Sequence, residues 1–278
     1  MNRGNRNTGV LRPENDKTIN IYRQPGEGLA GRSCRDRVPV KTRGEQMNRI
    51  GIIGAMAEEV QMLKEHMEQV TIATRAAMDF YHGTLNGKDV VVVQSGIGKV
   101  NAGICTQILA DEYQVDAIIN TGIAGSLNKD INIGDIVLST DVVQHDMDAT
   151  GFGYPKGQIP RMNSFSFMAD SHLRSIAAMV CKEVNPDIHV FEGRINSGDQ
   201  FISDRKVKEE IITNFGGCAV EMEGAAIGQA AYLNNIPFLI IRAISDKADD
   251  SANMDYGTFE ALAIRHSVRL AEGILKEL

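Results

Sequence analysis

From Met47 onward, short apolar runs alternate with longer segments in which apolar residues recur every three or four positions. The short runs have the length of buried strands, whereas the longer segments have the period of helices that cover a core. Strands are predicted at 50–54, 80–85, 90–94, 117–120, 135–143, 189–196, 219–221 and 237–244, and helices at 57–68, 98–112, 171–184, 204–214, 224–233 and 259–275. This alternation predicts an α/β domain whose largely parallel sheet is covered by helices on both faces.

One pair of predicted strands is separated by Asn86-Gly87, a dipeptide that strongly favours a tight hairpin. A hairpin joins antiparallel strands, so the central sheet is expected to be mixed rather than wholly parallel. We therefore expect a single domain over residues 47–278, with a central mixed sheet flanked by helices.

The first 46 residues lack this pattern. They contain 7 Leu, Ile, Val and Phe residues and 3 of the chain's 7 prolines, which is too little apolar surface to offset the entropy of ordering. Their 10 basic side chains outnumber 5 acidic ones, but those acids and the single serine argue against a transit peptide. We expect residues 1–46 to be a disordered leader, a tag or a non-native extension.

The charge of the remaining chain narrows the function classes. Residues 47–278 carry 19 of the 29 basic and 31 of the 36 acidic side chains, a balance of −12. Such a surface repels polyphosphates, and with no Trp and 5% aromatic residues there is no stacking platform for nucleic acid. No nucleic-acid partner is therefore expected. No membrane partner is expected either, because no apolar run is long enough to span a bilayer. The four cysteines are scattered, which fits free thiols in the cytoplasm.

Glycine-rich and acidic segments follow most of the predicted strands. Ligands of such sheets bind at the carboxyl ends of the strands, where these segments converge. Glycine turns allow a ligand to approach the backbone, and carboxylates beside them suggest acid–base chemistry on a hydroxyl-rich ligand. The segments are 54–59, 95–98, 121–125, 198–201, 221–223 and 245–246. Of Glu58 and Glu59, one is expected at the surface and the other in the pocket.

Two further patterns suggest cofactors but are incomplete. Gly51-Ile52-Ile53-Gly54-Ala55 resembles a dinucleotide fingerprint, yet the full glycine pattern is absent and no acid closes a following strand at the expected distance. His145-Asp146-Met147-Asp148 offers one His and two alternating acids, which favours a structural or interface role over a metal site. No metal and no organic cofactor are therefore expected.

Three motifs taken together resemble one enzyme family. Residues 51–60 (GIIGAMAEEV), 220–226 (VEMEGAA) and 242–246 (RAISD) are similar to those of the 5′-methylthioadenosine/S-adenosylhomocysteine nucleosidases. Residues 95–102, 145–154 and 197–202 match as well, so the resemblance covers essentially all of 47–278. Any one motif marks the wider nucleoside phosphorylase superfamily, whereas the Met-x-Glu-Glu turn combined with the other two is more specific to the hydrolases.

The resemblance implies a homodimer built on a mixed, partly closed sheet of the nucleoside phosphorylase type. It also implies hydrolysis of the N-glycosidic bond of 5′-methylthioadenosine, S-adenosylhomocysteine and 5′-deoxyadenosine-like nucleosides to adenine and the sugar. This reaction belongs to methionine salvage and to the removal of methyl-cycle by-products. The expected partners are thus adenine nucleoside thioethers, water and a second copy of the chain.

By matching position, the resemblance also implies roles for individual residues. Glu59 would activate the water, Asp246 would donate a proton or hydrogen bond to adenine N7, and Glu223 would hold the ribose 2′- and 3′-hydroxyls. Phe201 would stack on adenine, with Ile202 supplying backbone contacts to its edge. The other substrate-binding residues implied are Met56, Ile97, Ala124, Gly125, Met222, Ser245 and Tyr256, and Phe152 and Pro160 would reach into the partner subunit's site.

Two positions depart from the family's pattern. Ile123 stands where many members carry a small residue or serine, so a hydroxyl contact is absent there. Tyr256 stands where an apolar aromatic residue often caps the thioether. The preference among methylthioadenosine, S-adenosylhomocysteine, 5′-deoxyadenosine and aminofutalosine-like nucleosides therefore stays open.

The carboxylates also fit this chemistry on physical grounds. Cleavage of an N-glycoside passes through an oxocarbenium-like transition state, which an acid on the base side and a carboxylate with water on the opposite sugar face can stabilise. Asp246 follows an apolar strand, so burial is expected to raise its pKa, as a proton donor near neutral pH needs.

Two alternatives remain open. A purine nucleoside phosphorylase needs basic phosphate ligands, but Glu58 and Glu59 stand at the first strand end, and Lys99, the one nearby cation, is expected in solvent at a helix start. A non-catalytic nucleoside-binding protein of the same fold typically lacks one carboxylate, whereas all three are present here.

Overall fold

The computed structural model describes residues 47–278, so the expectation for residues 1–46 lies outside the described residues. Ten strands in the described part form one sheet, and six α-helices pack around it. The strands are β1 (Arg49–Gly54), β2 (Glu68–Arg75), β3 (Met78–Leu85), β4 (Lys88–Gln94), β5 (Ala117–Ser126), β6 (Ile136–Gln144), β7 (Phe167–Met168), β8 (Val190–Ser197), β9 (Ala219–Glu221) and β10 (Phe238–Asp246). The helices are α1 (Ala57–His66), α2 (Lys99–Asp111), α3 (Ser171–Val184), α4 (Arg205–Phe215), α5 (Gly224–Asn234) and α6 (Ala252–Glu277), with a short 3₁₀ helix at Thr150–Phe152.

Five of the strands close into a ring. β5 pairs with β10 on one side and with β9 on the other, and the ring continues through β8 and β6 back to β10. A tail of four strands, β1, β4, β3 and β2 in that order, extends from β5, while β7 pairs with β6. This architecture confirms the prediction of an α/β domain with a central mixed, partly closed sheet.

The sheet is mixed for more reasons than the hairpin alone. β6 runs antiparallel to β10 and β7, and β9 runs antiparallel to β5. With the two pairings of the β2–β3–β4 meander, half of the strand pairings in the described part are antiparallel, so the expectation of a largely parallel sheet is wrong. β7 and β9 have two and three residues, and segments this short carry no periodicity that reveals their direction.

The predicted hairpin is confirmed in detail. β3 and β4 pair antiparallel, with Leu85 opposite Lys88. Between them, Asn86 and Gly87 have φ values of 51° and 78°. Two consecutive residues of positive φ are typical of the tight turns whose twist matches that of the flanking strands.

Several element boundaries differ from the prediction. The first helix ends at His66 rather than at residue 68, because Glu68 begins β2. β2 is absent from the prediction since almost all of its residues are exposed and lack an apolar period. α6 begins at Ala252, two turns before the predicted start at 259. The prediction misses these turns because their residues are mostly polar and show no apolar period.

Helices cover the sheet. α6 has 26 residues and packs against β5 and β10 beside α1 and α3, whereas α2 packs with α5, which contacts β6 and β8. β5 and β10 are buried along their full length and form the centre of the core. None of the helices in residues 47–278 combines the length and the apolar character needed to cross a membrane.

Candidate active site

A cavity of about 430 Å³ lies at the carboxyl ends of β1, β5, β9 and β10. The structure brings together there residues from all six strand-end segments predicted to converge. The lining residues are Ala55, Met56, Glu59, Ile97, Ile123, Ala124, Gly125, Gln200, Phe201, Ile202, Val220, Glu221, Met222, Glu223, Ser245, Asp246, Asn253 and Tyr256.

Glu59 lies in the first turn of α1 with 3% of its surface exposed. Its Oε2 accepts hydrogen bonds from the backbone N–H groups of Ala55 (2.6 Å) and Met56 (2.9 Å), and its Oε1 accepts one from Ile123 (3.3 Å). Burial raises the pKa of Glu59, while the Arg242 guanidinium and these N–H groups act in the opposite direction. The carboxyl is thus fixed in orientation, and its burial favours the neutral form.

Asp246 is the last residue of β10. Its Oδ1 accepts a hydrogen bond from the Ala248 N–H (2.7 Å), and its Oδ2 accepts one from the Ser245 hydroxyl (2.9 Å). Burial raises the pKa of Asp246, as expected from its position after an apolar strand, although both hydrogen bonds oppose the shift. The carboxyl is thus fixed in orientation at the strand end, and its burial favours the neutral form.

Two glycines of β5 make room for these carboxyls. A Cβ at Gly122 would lie 2.7 Å from Glu59 Oε1, and a Cβ at Gly125 would lie 2.8 Å from Asp246 Oδ1. Segment 121–125 is predicted to be a glycine turn that admits a ligand. In the structure it lies inside strand β5 instead. Its two glycines admit the protein's own carboxyl groups.

Glu223 joins two strand-end turns. Its Oε1 accepts a hydrogen bond from the Gly98 N–H (2.8 Å), just before α2, and its Oε2 lies 3.8 Å from Arg242 Nη2. Burial, followed by the neighbouring Glu221, raises the pKa of Glu223 to about 8. Glu223 is thus held at the wall of the cavity with a strong tendency to keep its proton.

Arg242 is the buried cation behind these carboxyls, with 1% of its surface exposed. Its Nη2 contacts the Glu221 carboxylate and donates to Asn120 Oδ1 (2.6 Å). Glu221, Glu223 and Glu59 all act electrostatically on its guanidinium. One positive charge therefore offsets part of the negative charge of three glutamates.

Neither Arg242 nor Glu221 has a role predicted from the sequence. A signal for the pair is nevertheless present, because Arg242 interrupts the most apolar predicted strand, where a buried charge requires an opposite charge nearby. The lining residues Gln200 and Val220 lie in the predicted segments 198–201 and 220–226 but have no individual role predicted there, whereas Asn253 lies outside every predicted segment.

The remaining predicted residues divide into two groups. Met56, Ile97, Ala124, Gly125, Phe201, Ile202, Met222, Ser245 and Tyr256 all line the cavity. On its exposed side, the rings of Phe201 and Tyr256 meet edge to face with centroids 5.8 Å apart. Phe152, which is 87% exposed, and the exposed Pro160 do not line the cavity of their own chain.

Lys99 is not the solvated cation that the sequence suggests. Its Nζ lies 2.5 Å from Asp146 Oδ1 and 3.1 Å from Gln144 Oε1, and its side chain is 15% exposed. Asp146 therefore forms an ion pair, and His145 beside it is buried, in keeping with a structural role. Within residues 47–278, no group of three His, Cys, Asp or Glu side chains is placed to hold a metal ion.

The charges around the cavity decide which chemistry it favours. Glu58 is exposed and Glu59 is buried, so only the second of the two adjacent acids faces the cavity, as expected. No Lys, Arg or His occurs among the described residues that line it. Buried carboxyls with raised pKa values can donate or accept protons near neutral pH, and they favour a ligand that develops positive charge.

Known proteins are similar to this chain in sequence. The family model of the Phosphorylase superfamily matches residues 49–276. A 5′-methylthioadenosine/S-adenosylhomocysteine nucleosidase from Exiguobacterium sp. is 42% identical over 231 residues, which are 83% of this chain and 98% of that protein. The similarity therefore spans nearly the whole of the relative.

Solved structures share the fold as well. The nucleosidase of the same name from Neisseria meningitidis, in complex with methylthio-immucillin-A, has a TM-score of 0.80 at 38% identity, covering 83% of this chain and 100% of that one. A futalosine hydrolase from Helicobacter pylori has a TM-score of 0.79 at 33% identity, covering 84% of this chain and 99% of that one.

Proposed function

This chain belongs to the 5′-methylthioadenosine/S-adenosylhomocysteine nucleosidase family of the phosphorylase superfamily, and we propose that it hydrolyses the N-glycosidic bond of these two nucleosides and of 5′-deoxyadenosine-like nucleosides. The products are adenine and the thioribose sugar, or the corresponding 5′-deoxy sugar. The observation that carries the proposal is the placement of three buried carboxyl groups, those of Glu59, Glu223 and Asp246, around one cavity with an apolar, partly aromatic wall.

The base is proposed to bind between Phe201 and the end of β10. Phe201 stacks on the adenine, and Ile202 contacts its edge through the backbone. Ala124 and Gly125 lie against the ring from β5. Asp246, whose pKa is raised by burial and whose carboxyl is oriented by Ser245, donates its proton or a hydrogen bond to N7 as the base departs.

The sugar is proposed to lie between Glu223 and Glu59. Glu223 holds the 2′- and 3′-hydroxyls, and Met222 packs against the sugar from the same turn. Glu59 takes the proton of a water that attacks the anomeric carbon on the face opposite the base. Cleavage makes the ribosyl group cationic, and the buried carboxylates stabilise that charge where it forms.

The 5′ arm is proposed to extend toward Met56, Ile97 and Tyr256. A thioether is soft and apolar, and a methionine together with an aromatic ring offers the dispersion contacts that suit it. Ile123 places an aliphatic side chain, rather than a hydroxyl, in the wall of the cavity.

A homodimer is proposed because one chain leaves several large apolar side chains exposed. Phe152 is 87% exposed, Val100 on α2 is 72% exposed, and Leu233 on α5 is 62% exposed. α2 and α5 pack together and so present a continuous face. We propose that this face joins two copies and that Phe152 and Pro160 of each complete the other's site.

The catalytic domain is proposed to comprise residues 47–278, and the protein is proposed to act in the cytoplasm. The cysteines of the described part support a reducing compartment, since Cys105, Cys181 and Cys218 are free thiols.

The test of function is adenine release from methylthioadenosine with and without phosphate. We expect full activity in phosphate-free buffer, free methylthioribose as the sugar product, and no sugar 1-phosphate when phosphate is added. The reason is that a phosphate dianion requires cationic partners, and the described lining residues supply none. A reaction that stops without phosphate would show a phosphorylase instead.

A further inference from the structure

Tyr256 and Glu260 form a hydrogen-bonded pair at the end of the cavity that is proposed to receive the 5′ arm, so any role of the pair in substrate choice rests on the proposed function. They are one turn apart on α6 and share a face of the helix. Tyr256 lines the cavity, and its hydroxyl oxygen lies 2.8 Å from Glu260 Oε1 and 3.4 Å from Met56 Sδ. The Glu260 carboxylate therefore stands one hydrogen bond behind the cavity wall.

The hydroxyl of Tyr256 has one proton to donate, and a carboxylate is a much stronger acceptor than a thioether. The proton consequently points to Glu260 rather than to Met56 Sδ, and the oxygen lone pairs are left for the cavity. Burial raises the pKa of Tyr256, and the hydrogen bond to Glu260 and the charges of Glu260, Glu59 and Glu58 raise it further. This end of the cavity is therefore electronegative.

We propose that Glu260, acting through Tyr256, determines which charge the 5′ arm of the substrate can carry. A neutral arm such as a methylthio group, or an arm that ends in an ammonium group, is accepted. An arm that ends in a carboxylate is disfavoured, because like charges repel more strongly across a partly buried wall than in bulk water. S-adenosylhomocysteine carries one ammonium and one carboxylate, so its arm has no net charge and remains acceptable.

Glu260 is a positioning residue in this scheme. It does not line the cavity, but it fixes the direction of the Tyr256 hydroxyl and adds a full negative charge behind it. A purely structural pair would leave the enzyme indifferent to the charge of an arm of given size. Charge preference is therefore the property to measure.

The test compares three adenosine thioethers with arms of similar length: 5′-S-(2-aminoethyl), 5′-S-(2-hydroxyethyl) and 5′-S-carboxymethyl. Adenine release by the full chain gives kcat/KM for each. We expect the aminoethyl compound to exceed the carboxymethyl compound by at least about tenfold, with the neutral compound between them. Raising NaCl from about 0.05 M to about 0.5 M should reduce this ratio, since salt screens partly exposed charges.

Glu260→Gln keeps an oxygen acceptor for Tyr256 but removes the charge, so we expect it to lower the ratio by at least about threefold. Glu277→Gln makes the same change at an exposed residue of α6 about 25 Å away, and we expect it to keep the native ratio. Ratios are compared within each variant, so a general loss of folded enzyme cancels.

A native ratio near one, or an unchanged ratio in Glu260→Gln, overturns the proposal. Methylthioadenosine is the reference substrate in every assay. Failure of the proposed function has a different signature, since the native chain would then release no adenine from that reference either.

Discussion

The guanidinium of Arg242 contacts the carboxylate of Glu221 through Nη2, and the two side chains are 2% and 3% exposed. Glu59 and Glu223 act electrostatically on the same guanidinium, so one buried cation faces three glutamates. This excess of acids, together with burial, tends to keep some of them protonated in the empty enzyme. A ribosyl cation that forms in the cavity relieves the imbalance, so the arrangement favours the transition state over the ground state.

Glu59→Gln is expected to lower the turnover of methylthioadenosine by at least about two orders of magnitude, because the amide keeps the shape but cannot take a proton from water. Steady-state adenine release measures this loss. Glu58→Gln changes the exposed neighbouring acid in the same way and should retain most of the activity. Near-native turnover in Glu59→Gln would remove this carboxylate from the mechanism.

Asp246→Asn is also expected to lower turnover by at least about two orders of magnitude, since an amide can donate a hydrogen bond to N7 but not a proton. Binding of a ribosyl-cation-mimicking inhibitor, measured by calorimetry, should persist at reduced affinity, because the other adenine and ribose contacts remain. If turnover stayed near native, proton donation would have to come from another group.

Glu223→Ala is expected to lower kcat/KM for substrates that carry both ribose hydroxyls far more than for a 2′-deoxy analogue. The carboxyl loses two hydroxyl partners in the first case and one in the second, so kcat/KM for the two substrates should converge. Equal losses for both substrates would contradict the assigned contact with the hydroxyls.

Glu223 should also make the stability of the ligand-free protein depend on pH. Its pKa is raised from 4.5 to about 8 in the fold, so the folded state binds more protons than the unfolded state between these values. Its contribution to stability is therefore full below about pH 4.5 and is lost as the pH rises through about 8. We therefore subtract the Tm of the native chain from that of Glu223→Gln at each pH. This difference should be at least about 2 °C more positive near pH 8 than near pH 4.5.

Thermal scans of native and variant chains across this range measure the difference. Glu58→Gln removes a carboxylate from the protein surface and supplies the control. A pH dependence for Glu223→Gln no larger than that of the control would mean that its carboxyl is not held protonated by the fold.

The proposed dimer is tested by Val100→Glu, which places a charge on the exposed α2 face. We expect this variant to elute as a monomer with strongly reduced activity, since apolar contact area is lost and the partner's Phe152 and Pro160 leave the site. Met179→Glu alters an equally apolar exposed residue on α3 and should leave both properties as in the native chain. Monomeric native protein with full activity would refute the shared site.

Much of the site was accessible to sequence reasoning because its residues follow buried strands. The predicted strands 50–54 and 237–244 are apolar throughout except at Arg242, so the ends of β1 and β10 can be located closely. Parallel strands bring their carboxyl ends to one edge, and this places Glu59 and Asp246 near each other without any knowledge of the tertiary structure.

The features that escaped prediction depend on contacts between distant segments. Ring closure depends on β9, whose three residues give no signal of direction, and on its pairing with β5. The partner of Arg242 comes from that same strand. The glycines of segment 121–125 look like turn residues, since sequence does not show that Gly122 and Gly125 face carboxyl groups.

Because β5, β9, β8, β6 and β10 close on themselves, no strand of the ring has a free edge within it. Peeling any one of them away would break two hydrogen-bonded ladders at once, so the rim that carries Glu223 and Asp246 opens only with cooperative unfolding. Amide protons of β5 and β10 should accordingly exchange with solvent far more slowly than those of the edge strand β2. Substrate entry and product release must therefore proceed without any separation of the ring strands.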